Sequence, residues 1–141
     1  VVTASAVGWQ EDASVLAVDI GTGGPKVGLV SLAGTIAGHK HTAVPTDLPP
    51  DGGATQDAGQ WRDLIRDSAR RALASGVADP ASVAAVWCTG QRASTVPVDA
   101  EGIPVGPCQL WSDTRGGIHS RAVIAGPVAG YDPVALVRWI R

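Results

Sequence analysis

The chain has 141 residues, of which 45% are hydrophobic and 17% charged, with a formal net charge of −2. That is the balance of one globular domain and excludes a disordered chain. The near-neutral charge gives no electrostatic footprint for nucleic acid or for an anionic membrane.

No apolar run approaches the roughly 18 residues that span a membrane. Residues 1–13 read as an N-terminal tail, and Glu11 and Asp12 stand where a secretory leader would be apolar. A cytoplasmic protein is expected. Cys88 and Cys108 lack CxxC spacing and read as two buried thiols in a reducing compartment, with a disulfide or a zinc site as the alternative.

The first predicted strand is the apolar run Val15-Leu16-Ala17-Val18, ending at Asp19, and Val27 to Leu32 reads as the strand that returns from it. Between them lie Gly21, Thr22, Gly23, Gly24 and Lys26. Glycines leave no Cβ in the way, so successive N–H groups can close around an anion. Lys26 can add a point charge, and Asp19 can hold Mg²⁺ directly or through water. The same residues also suit an ordinary hairpin, with Asp19 as a turn former. The pattern is neither the P-loop nor the dinucleotide fingerprint.

Thr35 to Thr42 continues as a third strand through the turn at Ala33-Gly34, which makes an antiparallel meander. His39 and His41 share one face of that strand and read as solvent-facing, with no third metal ligand nearby in sequence. Pro45 to Gly53 is a loop by composition. A helix follows, with Asp57 and Gln60 as its capping pair, apolar positions at Trp61, Leu64, Ile65, Ala69, Ala72 and Leu73, and Gly76 as its stop.

Val83 to Cys88 shows no polar alternation and predicts a strand covered on both faces. It leads into the polar cluster Thr89-Gly90-Gln91-Arg92, the position beyond a strand's carboxyl end where α/β sheets gather ligands. Thr95 to Val98 and Gln109 to Trp111 predict short strands around a turn at Asp99 to Gly102. Tyr131 to Arg141 predicts a closing helix capped by Asp132-Pro133.

Four pieces in this order carry a resemblance: Asp19-Ile20-Gly21-Thr22 with Lys26, Gln56-Asp57 ahead of Trp61, Thr89-Gly90-Gln91, and Leu110-Trp111-Ser112-Asp113-Thr114-Arg115. Together they resemble the N-terminal portion of the FGGY carbohydrate kinases, the family of xylulokinases, ribulokinases and glycerol kinases, and xylulokinases in particular. The resemblance implies an α/β chain with the ribonuclease-H-like, actin-type ATPase fold. It makes residues 14–141 an incomplete N-terminal lobe with a mixed sheet. ATP and Mg²⁺ are the implied cofactors, a sugar or polyol such as a pentulose the implied partner, and γ-phosphoryl transfer to its hydroxyl the implied reaction. A homodimer of the full-length enzyme is left open.

Carried over by position, Asp19 resembles the metal-associated carboxylate. Gly21, Thr22, Gly23, Gly24 and Lys26 resemble the phosphate contacts, and Gln91, Arg92 and Ala93 the loop that holds sugar hydroxyls. Trp111 can pack on the carbon face of a sugar or fill a core. Asp113 or Arg115 can bind hydroxyls or stabilise their loop. The departures are Gly23 and Gly24 where many members carry hydroxyl residues, Pro25 with no N–H, and Ala93 where glycerol kinases have an acid and xylulokinases a histidine. Family members are several times longer, so the general base and most of the adenine site are expected beyond residue 141, and the 141 residues alone are expected to be an inactive fragment. The alternative is a non-catalytic module of the same fold that binds nucleotide or sugar.

Overall fold

Alternation sets the first sheet. Strand β1 (Ser14–Gly21) buries Ser14, Leu16 and Val18 on one face, and β2 (Gly24–Ser31) buries Val27 and Leu29 on the same face, because Val18 pairs with Val27 and Leu16 with Leu29. The computed structural model describes residues 12–122, so the helix expected over Tyr131–Arg141 and most of the N-terminal tail lie outside the described residues.

The antiparallel meander forms as expected. The β1–β2 ladder runs to the pair Gly21–Gly24, leaving Thr22 and Gly23 as the turn. Gly24 has φ 120°, a conformation that disfavours side-chain-bearing residues. Strand β3 (Ile36–His41) pairs antiparallel with β2, with an irregularity that leaves Ala37 unpaired between Ile36 and Gly38.

The helix α1 (Ala58–Ala74) starts where Asp57 Oδ1 accepts the N–H groups of Gly59 at 2.8 Å and Gln60 at 3.3 Å. Its residues Ile65, Ala69, Ala72 and Leu73 pack on the Leu16, Val18, Val27 and Leu29 core. Strand β5 (Val83–Gly90) then pairs parallel with β1, giving a mixed sheet in the order β3-β2-β1-β5.

Two expectations need correction here. Among the described residues strand β5 is not covered on both faces: Val86 is 65% and Trp87 70% exposed, and Cys88 is exposed rather than buried. The reason is position. Among the described residues β5 ends the four-strand order, and its apolar run reports composition, not cover.

The second correction concerns the short strands. The second sheet pairs β4 (Thr55–Gln56) with β6 (Cys108–Gln109), whereas Thr95 to Val98 makes only isolated bridges and Trp111 lies in a turn. Pro97, Pro104 and Pro107 lack the N–H groups a longer ladder needs. The expected turn is present: Asp99 Oδ1 accepts the N–H groups of Glu101 at 3.1 Å and Ile103 at 2.7 Å.

The chain divides into two compact units. Among the described residues, one takes in those up to Ala43 together with Arg62–Gly90, and the other Val44–Trp61 together with those from Gln91 onward. Among the described residues no helix is long and apolar enough to cross a membrane.

Candidate functional site

In the first unit, Asp19 occupies the ladder position opposite Lys26 on one side and Thr89 on the other, and Lys26 in turn pairs with His41. Partners in a ladder share a face, so Asp19, Lys26 and His41 form a row on the side of the sheet away from the α1 core. Lys26 Nζ donates to Asp19 Oδ2 at 2.9 Å, with the two side chains 53% and 42% exposed. An ion pair this exposed is worth about 0–1 kcal/mol, so either partner is free to turn to a ligand.

Gly21 fits closely beside that pair: a Cβ there would make a tight 3.3 Å approach to Lys26 Nζ and an ordinary 3.6 Å contact with Asp19 Oδ2. His41 Nε2 lies 3.2 Å from the carbonyl oxygen of Gly23. His39 and His41 are both exposed on one face of β3, as expected, but the contact of His41 with the turn is a feature the sequence pattern did not reveal.

Among the described residues no group of three or more His, Cys, Asp or Glu side chains is placed to hold a metal. That excludes an all-protein cage there, but Mg²⁺ does not need one, since it keeps waters and shares phosphate oxygens with one or two carboxylates. The accessible Asp19 carboxylate fits that mode.

The second unit holds the remaining candidates. Gln91, Arg92 and Ala93 follow directly on β5, with Arg92 exposed and Gln91 partly buried. Ala93 has φ 58°, the left-handed region, the one side-chain-bearing residue so placed among the described residues. Such a backbone costs about 1–2 kcal/mol. Trp111 is 46% exposed, and its backbone N–H donates to Ser94 Oγ at 3.1 Å, which ties its turn to the Gln91–Ala93 loop.

Asp113 is fully buried, and both of its oxygens are engaged. Oδ1 accepts the backbone N–H and Nε of Arg115, each at 3.1 Å, while Oδ2 accepts Arg115 Nη2 at 2.7 Å and the backbone N–H of Ala54 at 3.0 Å. Burial by itself would raise the carboxyl's pKa, but these donors hold it below the ordinary value. The pair pushes Arg115 upward in turn. Gly53 makes room for this: a Cβ there would stand 2.9 Å from Arg115 Cζ. Thr114 completes the clamp by donating its N–H to Gly52 O at 3.0 Å.

The cysteines are both free, and burial pushes the Cys108 thiol up to about 11 against a hydrogen bond with the Thr95 backbone, so it stays protonated at neutral pH and acts as a packing residue.

The sequence profile of the FGGY family of carbohydrate kinases, N-terminal domain, matches residues 14–123. A xylulose kinase of Staphylococcus epidermidis is 27% identical over 122 residues, which are 85% of this chain and 25% of that protein. The chain thus spans about a quarter of the curated relatives it matches. The crystal structure of a xyloylose kinase from Brucella ovis superposes with a TM-score of 0.78 at 25% identity, covering 90% of this chain and 29% of that one. The Plasmodium falciparum glycerol kinase structure with ADP has a TM-score of 0.73 over 91% of this chain and 28% of its own, and at 14% identity it speaks for the fold alone. With the mixed sheet, these neighbours identify a partial N-terminal lobe of the actin-like ATPase fold.

Proposed function

The chain belongs to the FGGY family of carbohydrate kinases, and from that membership we propose that the whole protein transfers the γ-phosphoryl group of ATP to a hydroxyl of a pentulose such as xylulose, or of a related sugar or polyol. The observation that carries this is the exposed Asp19–Lys26 pair at the mouth of a glycine turn. The likeness to xylulose kinases supports the substrate class.

Phosphoryl transfer needs little from a protein beyond positioning and charge neutralisation. On this reading the turn Gly21-Thr22-Gly23-Gly24 brings backbone N–H groups to the nucleotide's phosphates, and Lys26 leaves Asp19 to meet them. Asp19 would hold Mg²⁺ directly or through water, and the ion would supply neutralisation of charge on the phosphate oxygens. Gln91 and Arg92 orient the sugar, the guanidinium fork suiting two vicinal hydroxyls. Ala93 offers no side-chain donor, which narrows the sugar contacts at this loop. Trp111 and Asp113 are assigned to the same region, Trp111 as an apolar wall and Asp113 through the loop it braces. We place the general base in sequence outside these 141 residues, take residues 14–141 as an incomplete domain inactive alone, and expect the intact enzyme in the cytoplasm.

A coupled ADP-release assay on the full-length protein, over ketoses, polyols and glycerol, tests the proposal. Sugar-dependent ADP release, greatest with a pentulose, is the expected result. No release across the panel, with nucleotide or sugar still bound, would replace it by a non-catalytic binding module.

A further inference from the structure

We propose that His41 is a positioning residue of the glycine hairpin, holding the Thr22-Gly23 turn in the shape that receives a nucleotide's phosphates; the inference deepens the kinase reading above and rests on it. A carbonyl oxygen only accepts, so the 3.2 Å contact with Gly23 O requires the imidazole to carry its proton on Nε2 and donate it.

The turn needs such a tether. Gly23 and Gly24 are adjacent residues without side chains, and Gly24 sits at φ 120°, so the turn's own backbone is restrained only where Gly24 closes the ladder on Gly21. A peptide unit is planar, with C=O and N–H opposed. The N–H of the Gly23–Gly24 unit faces Gly21 in the ladder, so fixing the Gly23 carbonyl pins that unit from its other side and holds the shape of the turn an anion would meet. The ring sits directly over the turn: a Cβ built on Gly23 would stand 3.8 Å from Nε2, an ordinary contact.

His41 is itself well anchored. It lies opposite Lys26 in the β2–β3 ladder, and the next residue, Thr42, donates its N–H to Pro25 O at 3.0 Å. The tether is thus built into the sheet edge beside the turn, and it lengthens the polar row from Asp19 and Lys26 to a third strand.

The test uses the full-length protein and three forms: wild type, His41→Phe, which keeps a ring and loses the donor, and His41→Gln, whose amide N–H reaches the place of Nε2. Calorimetry with a magnesium complex of a non-hydrolysable ATP analogue reads affinity, and steady-state kinetics reads turnover. We expect His41→Phe to lose about five- to tenfold in nucleotide affinity and in kcat/KM for ATP, the worth of one hydrogen bond, with the sugar KM and Tm unchanged, and His41→Gln to regain most of the loss. Unchanged nucleotide affinity in His41→Phe overturns the proposal, as does a His41→Gln form as impaired as His41→Phe. Nucleotide binding without sugar phosphorylation in the wild type overturns the kinase reading alone, while the affinity difference still decides His41. Absence of nucleotide binding in the wild type overturns both. Should His41→Phe fail to fold, the histidine ring 15N spectrum of the wild type decides: a neutral ring protonated on Nε2 supports the tether, and one protonated on Nδ1 overturns it.

Discussion

Two aspartate–cation pairs, each beside glycines, sit in the two units of this chain and do opposite things. Asp19 and Lys26 meet through one contact, and both side chains are about half exposed. Asp113 and Arg115 meet through three, with Asp113 fully buried and Arg115 17% exposed. The residue types are nearly the same. What differs is the unused bonding capacity and its access to solvent: Asp19 can take a new partner at little cost, whereas Asp113 is already committed to the loop at Ala54. A carboxylate near a glycine turn is therefore a ligand candidate only where the fold leaves an oxygen free for one.

The sharpest break of this comparison is Asp113→Ala. It leaves Arg115 without its main partner and the Ala54 N–H without an acceptor, and removing one member of a buried pair costs about 3–5 kcal/mol. Chemical unfolding of the full-length protein should show that loss as a lower midpoint. A variant as stable as the wild type would mean that the clamp does not hold its loop.

Asp19→Asn should do the reverse. Stability should stay within about 0.5 kcal/mol, as for exposed positions, while kcat falls about 10²-fold or more with little change in the sugar KM, because a charge aimed at the reacting phosphate acts mainly in the transition state. Near-normal turnover would reduce Asp19 to a turn residue.

Arg92 tests whether access, rather than the unit a residue belongs to, is the discriminator, since it lies in the second unit yet is exposed. Arg92→Ala should raise the sugar KM about tenfold, equivalent to one charged hydrogen bond, and Arg92→Lys should not restore it fully because an ammonium lacks the planar fork. An unchanged sugar KM in Arg92→Ala would remove this loop from the sugar site.

Acid should separate the pairs more gently. Because the native carboxyl of Asp113 is depressed, its contribution to stability is fully present above the unfolded value of about 3.9 and is lost as pH falls through the lower native value. Unfolding midpoints measured through that window should fall more steeply in the wild type than in Asp113→Asn. Parallel curves would contradict the assignment.

The smallest effect is expected at Ala93, whose φ of 58° favours glycine. Ala93→Gly should stabilise by about 0.5 kcal/mol, the relief of left-handed strain less the added freedom of the unfolded chain. A loss of stability there would show that the methyl group packs usefully.

Local chemistry was legible in the sequence where it acts within a few residues. The meander followed from apolar runs joined by glycine turns, the helix start from Asp57, and the turn at Asp99 to Gly102 from its residue types, the side chain of Asp99 bonding its own backbone in the structure. The four ordered motifs identified the family without a structure, and the profile match over residues 14–123 agrees. Cover over β5 was not legible, because an apolar run states what a strand can bury and not which neighbours it has. The β4–β6 pairing was not legible either, since Thr55 and Gln109 are far apart in sequence and their two-residue strands have no periodicity to detect.

His41 shows the division most plainly. The residues of β2 and β3, counted outward from their turn, pair Val30 with Ile36, and an unbroken ladder from there would put Lys40 opposite Lys26. The bulge at Ala37 shifts the register by one residue, so His41 faces Lys26 instead and reaches the Gly23 carbonyl. Composition and spacing determined the strands of the meander, the glycine turn and the charged residues beside it, because those depend on near neighbours. Which histidine meets that turn, and which aspartate is sealed in, only the tertiary structure decided, because a one-residue slip or a loop folded over from far along the chain reverses the face or the solvent access of a side chain without changing the local pattern that encodes it.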